Sequence, residues 1–131
     1  MATIFTKIIN GEIPCYKIAE DENYFAFLDI NPLTKGHTLV VPKIEDDYIF
    51  NLDEKTYAGL MLFAKRVAHA IEAAVPCKRV GVAVLGMEVP HVHVHLVPLN
   101  SEKDMIISNP KLKLEPAEMQ EIATEISSRF K

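Results

Sequence analysis

Pro90-His91-Val92-His93-Val94-His95-Leu96-Val97-Pro98 decides the reading of this chain. Its β-branched and apolar residues predict a strand over residues 91–99, in which side chains two apart share a face. Val92, Val94 and Leu96 then turn to one side, which suits a core. His91, His93 and His95 turn to the other, so three of the chain's five histidines line one face. Burying three imidazoles for packing alone would be costly, so the pattern points to chemistry. The spacing leaves three readings open: a hydrogen-bonded histidine face, a metal site, or phosphate chemistry with one imidazole as nucleophile. Adjacent members stand about 6.6–7 Å apart and can share an ion, whereas the outer two, about 13 Å apart, cannot easily do so. A metal would therefore need ligands from elsewhere, such as His37 or Glu88.

Outward from this stretch, strand and turn signals alternate. Residues 79–85 predict a fourth strand, with Gly86-Met87-Glu88 turning the chain. Asp53 is placed to cap a long helix that Pro76 stops. Tyr57, Leu60, Ala64, Val67, Ala68, Ile71 and Val75 form its apolar stripe, while Leu62 and Phe63 fall outside and point to a second buried face. Residues 16–20 and 24–29 read as a hairpin around Asp21-Glu22-Asn23, and residues 37–42 as a third strand. The opening is a short apolar stretch. Residues 100–114 are polar, with an exposed-looking Lys111-Leu112-Lys113. Pro116 opens a last helix with Met119, Ile122, Ala123, Ile126 and Phe130 on one stripe. Strands, helix, strands, helix with hairpin-like spacing predict an α+β fold: an antiparallel five-stranded sheet, a long central helix and a C-terminal helix.

Bulk properties narrow the function. At 131 residues with no linker composition, the chain is expected to be one domain over residues 1–131. Its net charge of −4 argues against a polyanion-binding module, which gains affinity by neutralising phosphates with Lys and Arg, so no nucleic-acid partner is expected. No apolar run approaches a membrane span, and the start lacks a signal-peptide core. Cys15 and Cys77 form no CxxC pair and read as reduced packing residues in a cytoplasmic protein.

The histidine stretch, followed by two hydrophobic residues, resembles the signature of the histidine-triad family. Three further segments resemble that family in the same order. They are Ile4-Phe5-Thr6-Lys7-Ile8-Ile9-Asn10-Gly11-Glu12-Ile13-Pro14, Ala26-Phe27-Leu28-Asp29-Ile30-Asn31-Pro32 and Gly36-His37-Thr38-Leu39-Val40-Val41-Pro42-Lys43. The resemblance implies a nucleotide-binding hydrolase, or nucleotidyl transferase, that cleaves a nucleoside 5′-phosphoramidate or a related small-molecule purine nucleotide conjugate at the α-phosphorus. It implies His93 as the nucleophile forming a nucleotidyl-histidine, its second ring nitrogen held by the His91 carbonyl. His95 matches the family's phosphate-side donor, and His37 the histidine that completes the cluster. Asp29 matches the carboxylate that receives ribose hydroxyls. Phe5, Phe27, Ile30 and Leu39 match apolar positions around the base, and Gly86 fits the loop before the triad. A homodimer with a shared sheet is implied, and no cofactor. His69, on the polar helix face, matches no functional position.

Two departures from the family stand out. Before the triad, Met87 stands where Gln is usual and Glu88 where a small hydroxyl residue often donates to the phosphate. A carboxylate 4 Å from a phosphate would cost about 4 kcal/mol per unit charge at an effective dielectric near 20. Glu88 is therefore expected to hydrogen-bond His95 or His37, or to serve as an acid–base residue, or else the substrate differs from the family norm. Relatives that hold structural zinc carry Cys-x-x-Cys in the opening, where this chain has Thr3 and Thr6, and a histidine where it has Glu45. No metal is expected. Two alternatives remain: a non-catalytic nucleotide-binding, partner-regulating module, and a metal-dependent enzyme using the histidine cluster.

Overall fold

Asp21 makes the first hairpin. In a computed structural model describing residues 2–131, its Oδ1 accepts the Asn23 and Tyr24 N–H groups, both at 2.8 Å. That turn joins β1 (Lys17–Glu20) to β2 (Tyr24–Leu28), and β3 (Thr38–Pro42) continues the antiparallel run. Asp53 caps α2 (Glu54–Ala74), its side chain accepting the Thr56 N–H at 2.7 Å. The chain returns through β4 (Arg79–Ala83) and β5 (Val94–Leu99) and ends in α3 (Pro116–Arg129), which opens on proline. The sheet order is β1-β2-β3-β5-β4, antiparallel throughout.

The two sheet faces have different jobs. Ala26, Leu28, Val40, Val94 and Leu96 project onto α2 and α3, where Leu60, Phe63, Val67, Ile71, Met119, Ile122 and Ile126 complete the larger core. Phe63, outside the expected stripe, is buried, whereas Leu62 is 63% exposed. Phe25, Phe27, Leu39 and Val41 occupy the opposite face with Phe5. Phe5 comes from α1 (Ile4–Ile9), a short helix capped by the Thr3 hydroxyl, which lies where sequence patterning shows only an apolar stretch.

Five strand boundaries differ from those read in the sequence, those of β1, which begins at Lys17, and β2, which ends at Leu28, by one residue each. β5 begins at Val94, because the backbone of residues 91–93 bonds elsewhere: the His91 N–H reaches Val89 O and the Val92 N–H reaches Asp46 O. β4 ends at Ala83 and β3 begins at Thr38. The inside–outside alternation survives all the same, since Val92, Val94 and Leu96 are each at most 1% exposed in the larger core.

Candidate active site

Register places the polar residues. Leu28 pairs with Thr38 at the end of β2 and β3, and the Asp29 N–H bonds the His37 carbonyl at 3.0 Å. Leu39 pairs with His95. Asp29, His37 and His95 therefore meet where three strands end or pass, on the face that carries Phe27 and Leu39. His93 joins them from just before β5, its ring centroid 5.0 Å from that of His95. A cleft of about 240 Å³ opens over this floor.

Every ring nitrogen but two has a fixed partner, and those partners set the tautomers. A backbone N–H can only donate, so His37 Nδ1 accepts from Leu33 at 3.0 Å and the His37 proton sits on Nε2. His37 Nε2 donates to His95 Nδ1 at 3.0 Å, which leaves the proton of a neutral His95 on Nε2. A carbonyl can only accept, so His93 Nδ1 donates to His91 O at 2.7 Å and its Nε2 keeps a free lone pair. His91 Nε2 donates to Pro42 O at 2.8 Å, and its Nδ1 accepts from the Thr3 hydroxyl at 2.7 Å. The two nitrogens left over, His93 Nε2 and His95 Nε2, belong to residues that line the cleft.

Burial keeps the His37 and His95 imidazoles neutral. Desolvation pulls His37 down to about 3 and His95 to about 4, with the neighbouring histidines adding to both effects. His91 is lowered by the same cause. Asp29 moves the other way: burial raises its carboxyl, opposed by the hydrogen bond from the Asn31 N–H at 2.9 Å. One Asp29 oxygen stands 3.7 Å from His37 Nε2. Ligand atoms of Asp29, His37 and His95 lie within 4.8 Å of one another, a set able to hold a metal ion at the expense of the hydrogen bond between the two imidazoles.

The expected residues divide into three groups. His37, His93, His95, Asp29, Gly86 and Glu88 line the cleft together. His91 lies behind it, fully buried and packed against Phe5, and reaches the cleft only through its carbonyl. Phe5, Phe27 and Leu39 form the small core beneath, with Phe5 edge-on to His93, while Ile30 is 70% exposed. Glu88 is exposed and makes no hydrogen bond with a histidine or any other described residue, although His95 Nε2 is open. Thr3 and Thr6 hydrogen-bond each other at 3.2 Å, and Thr3 occupies the His91 nitrogen.

Sequence reasoning missed Asn31, Leu33, Leu85, Met87, Ile107 and Lys111 as lining residues. The last two come from the polar stretch after β5. That stretch folds back because the Leu112 N–H bonds Pro32 O at 2.9 Å and Asn109 Nδ2 bonds Lys103 O at 2.6 Å. No local pattern signals such a long-range backbone bond.

A histidine cluster at the strand ends beside a carboxylate, with its tautomers fixed by backbone groups and by His37, is equipped for nucleophilic chemistry on an electrophile bound in the cleft. Comparison with known proteins gives this class a family. The HIT domain profile matches residues 10–102, and the chain belongs to the histidine-triad family. It is 37% identical over 134 aligned positions to the adenosine 5′-monophosphoramidase of Schizosaccharomyces pombe, spanning 100% of each chain. An adenylylsulfatase of Arabidopsis thaliana is 28% identical, the match covering 95% of this chain and 66% of that one. Among solved structures, a Hit-like protein from Bartonella henselae superposes with a TM-score of 0.86 at 28% identity, over 98% of this chain and 96% of that one.

Proposed function

We propose that this protein hydrolyses a nucleoside 5′-phosphoramidate, or a related purine nucleotide conjugate, at the α-phosphorus through a nucleotidyl group carried on His93. One observation carries the reading. The His93 Nδ1–H is spent on the His91 carbonyl at 2.7 Å, so in the neutral imidazole the lone pair lies on Nε2 of a cleft-lining residue. In the first step the Nε2–P bond forms as the bond from phosphorus to the leaving atom breaks, and the electron pair departs with the leaving group. Water then attacks phosphorus and releases a proton, and the pair of the Nε2–P bond returns to His93. His95 Nε2–H donates to the phosphoryl oxygen, a neutral donor that needs no charge of its own. Asp29 receives the ribose hydroxyls, and the base lies against Ile30 over the Phe5–Phe27–Leu39 cluster. The relative from S. pombe bears the name of this activity.

The same reading makes residues 1–131 one catalytic domain, cytoplasmic and active without a metal. It also makes the protein a homodimer that extends the sheet across β4, an edge strand with Val82 53% exposed. Tyr48, Phe50 and Leu62, each more than half exposed, offer apolar surface for that contact. The test is incubation with adenosine 5′-phosphoramidate, a rapid alkaline quench and mass spectrometry of peptides. A nucleotidyl mass on the His93 peptide supports the reading. Turnover with no adduct at any time, in wild type or in a slowed variant, sinks it.

The Asp29–His37–His95 set favours one second reading, a metal-dependent enzyme. Chelator treatment, with elemental analysis and activity measured in parallel, separates the two: metal-dependent turnover would replace the first reading with the second.

A further inference from the structure

We propose that Lys111 determines which leaving group the cleft accepts, by providing the cationic contact for an anionic one such as sulfate or phosphate. The inference rests on the hydrolytic reading above. Lys111 is the only lysine or arginine lining the cleft among the described residues, in which Asp29 and Glu88 are the carboxylates. An anion entering beside two carboxylates needs a compensating positive charge, and the neutral His37 and His95 imidazoles supply none.

The ammonium is placed, not merely nearby. Its Nζ donates to the Ile107 and Asn109 carbonyls, and an ammonium has three protons. Two are spent on the loop, and the third remains for a ligand. The loop is itself pinned to the segment beside Asp29 by the bond from the Leu112 N–H to Pro32 O. The charge of Lys111 is felt at the floor, since it contributes to lowering both His37 and Asp29.

Chemistry divides the substrates. When His93 Nε2 displaces an amine, the departing nitrogen must gain a proton, which it takes from solvent water. When it displaces sulfate or phosphate, the P–O bonding pair leaves on an oxyanion that needs no proton, only stabilised charge. Water hydrolyses the adduct identically in both cases. Lys111 therefore favours the anionic leaving group over the amine.

The experiment compares kcat/KM for adenosine 5′-phosphosulfate and adenosine 5′-phosphoramidate in wild type, Lys111→Met, Lys111→Gln and Lys111→Arg. The wild type cleaves both. Loss of one charge-assisted hydrogen bond from an exposed group predicts a phosphosulfate rate about tenfold lower in the Met and Gln variants. Phosphoramidate should change by less than about threefold, and Arg should keep the wild-type ratio. The Gln variant retains an N–H for a loop carbonyl, so a folding defect in Met alone does not decide the matter. An unchanged ratio, an equal fall on both substrates, or a wild type inert on phosphosulfate alone overturns the proposal and leaves the hydrolytic reading standing. A wild type inert on both overturns the two together.

Discussion

The floor and the mouth of the cleft are built on different principles. On the floor, His37 and His93 are buried and His95 partly so. Backbone groups of Leu33 and His91 fix the protons of His37 and His93, and His37 fixes that of His95. At the mouth, Met87 is 88% exposed, Glu88 has no hydrogen-bond partner among the described residues, and Lys111 bonds only its own loop. A floor whose donors and acceptors are set before substrate arrives loses little to reorganisation during reaction. A mouth of exposed side chains can be retuned without disturbing that floor. The difference teaches where to look for reaction type and where for selectivity.

The sharpest break should come at the floor. His93→Asn removes the free lone pair while keeping a small polar side chain. Turnover of every conjugate cleaved by wild type should fall by about 10⁴-fold or more, and no adduct should form. The comparison collapses if this variant retains full activity, because the floor would then not be the reacting centre.

Acid should attack the floor before the mouth. His37 and His95 are held near 3 and 4, below their ordinary 6.5, so between those values and 6.5 the unfolded chain binds more protons than the folded one. Stability is full above pH 6.5 and is lost as pH falls, by up to about 1.4 kcal/mol per pH unit for each histidine. His91 adds in the same direction, while the raised Asp29 opposes it in the range just above 3.8. Denaturant midpoints measured from pH 7.5 to 4.5 should fall steeply. His37→Leu should flatten the slope, and an unflattened slope would place the sensitive groups elsewhere.

His37→Leu also tests whether tautomer fixing matters. Without the His37 Nε2–H, His95 Nδ1 loses its donor and the imidazole proton is free to sit on either nitrogen. We expect kcat about 10- to 100-fold lower, with a smaller change in KM. His37→Gln, which restores an N–H donor, should recover part of the loss. A role limited to packing would instead make Gln the worse of the two.

These differences track what the sequence made legible. Alternation over residues 91–97 gave the correct inside and outside for Val92, His93, Val94, His95 and Leu96, because a core side must be apolar whether or not the backbone is formally paired. Asp53 and Pro116 marked the starts of α2 and α3 through local capping chemistry. β5 nevertheless starts three residues late, since Val92 bonds the distant Asp46, and α1 was missed because its six residues carry too little periodicity. His91 was read as part of the cluster, yet its ring is consumed by Thr3 and Pro42, both far away in sequence. Lys111 looked exposed, as it is, but exposure does not reveal that a single bond to Pro32 brings its loop over the cleft. Long-range backbone bonds leave no local trace, and they account for most of what was missed.

The smallest effect belongs to Glu88, and it tests the mouth. The sequence placed this carboxylate where a phosphate donor is usual and expected it to orient His95 or His37. His37 has both ring nitrogens paired, and the Glu88 carboxylate makes no hydrogen bond to the open His95 Nε2, so Glu88 holds no histidine. What remains is its charge, exposed on the cleft wall, acting on anions through solvent. Exposed charges interact by about 0.2–1 kcal/mol, so Glu88→Gln should tighten binding of the anionic nucleotide product by about two- to threefold. The gain should fade in high salt, since screening removes what the mutation removes. kcat and its pH profile should stay as in wild type. Calorimetry with the nucleotide at low and high salt, beside a pH series of turnover, reads both arms. A kcat that drops, or a pH profile that loses a limb, would move Glu88 from the mouth to the reacting floor and erase the division between them.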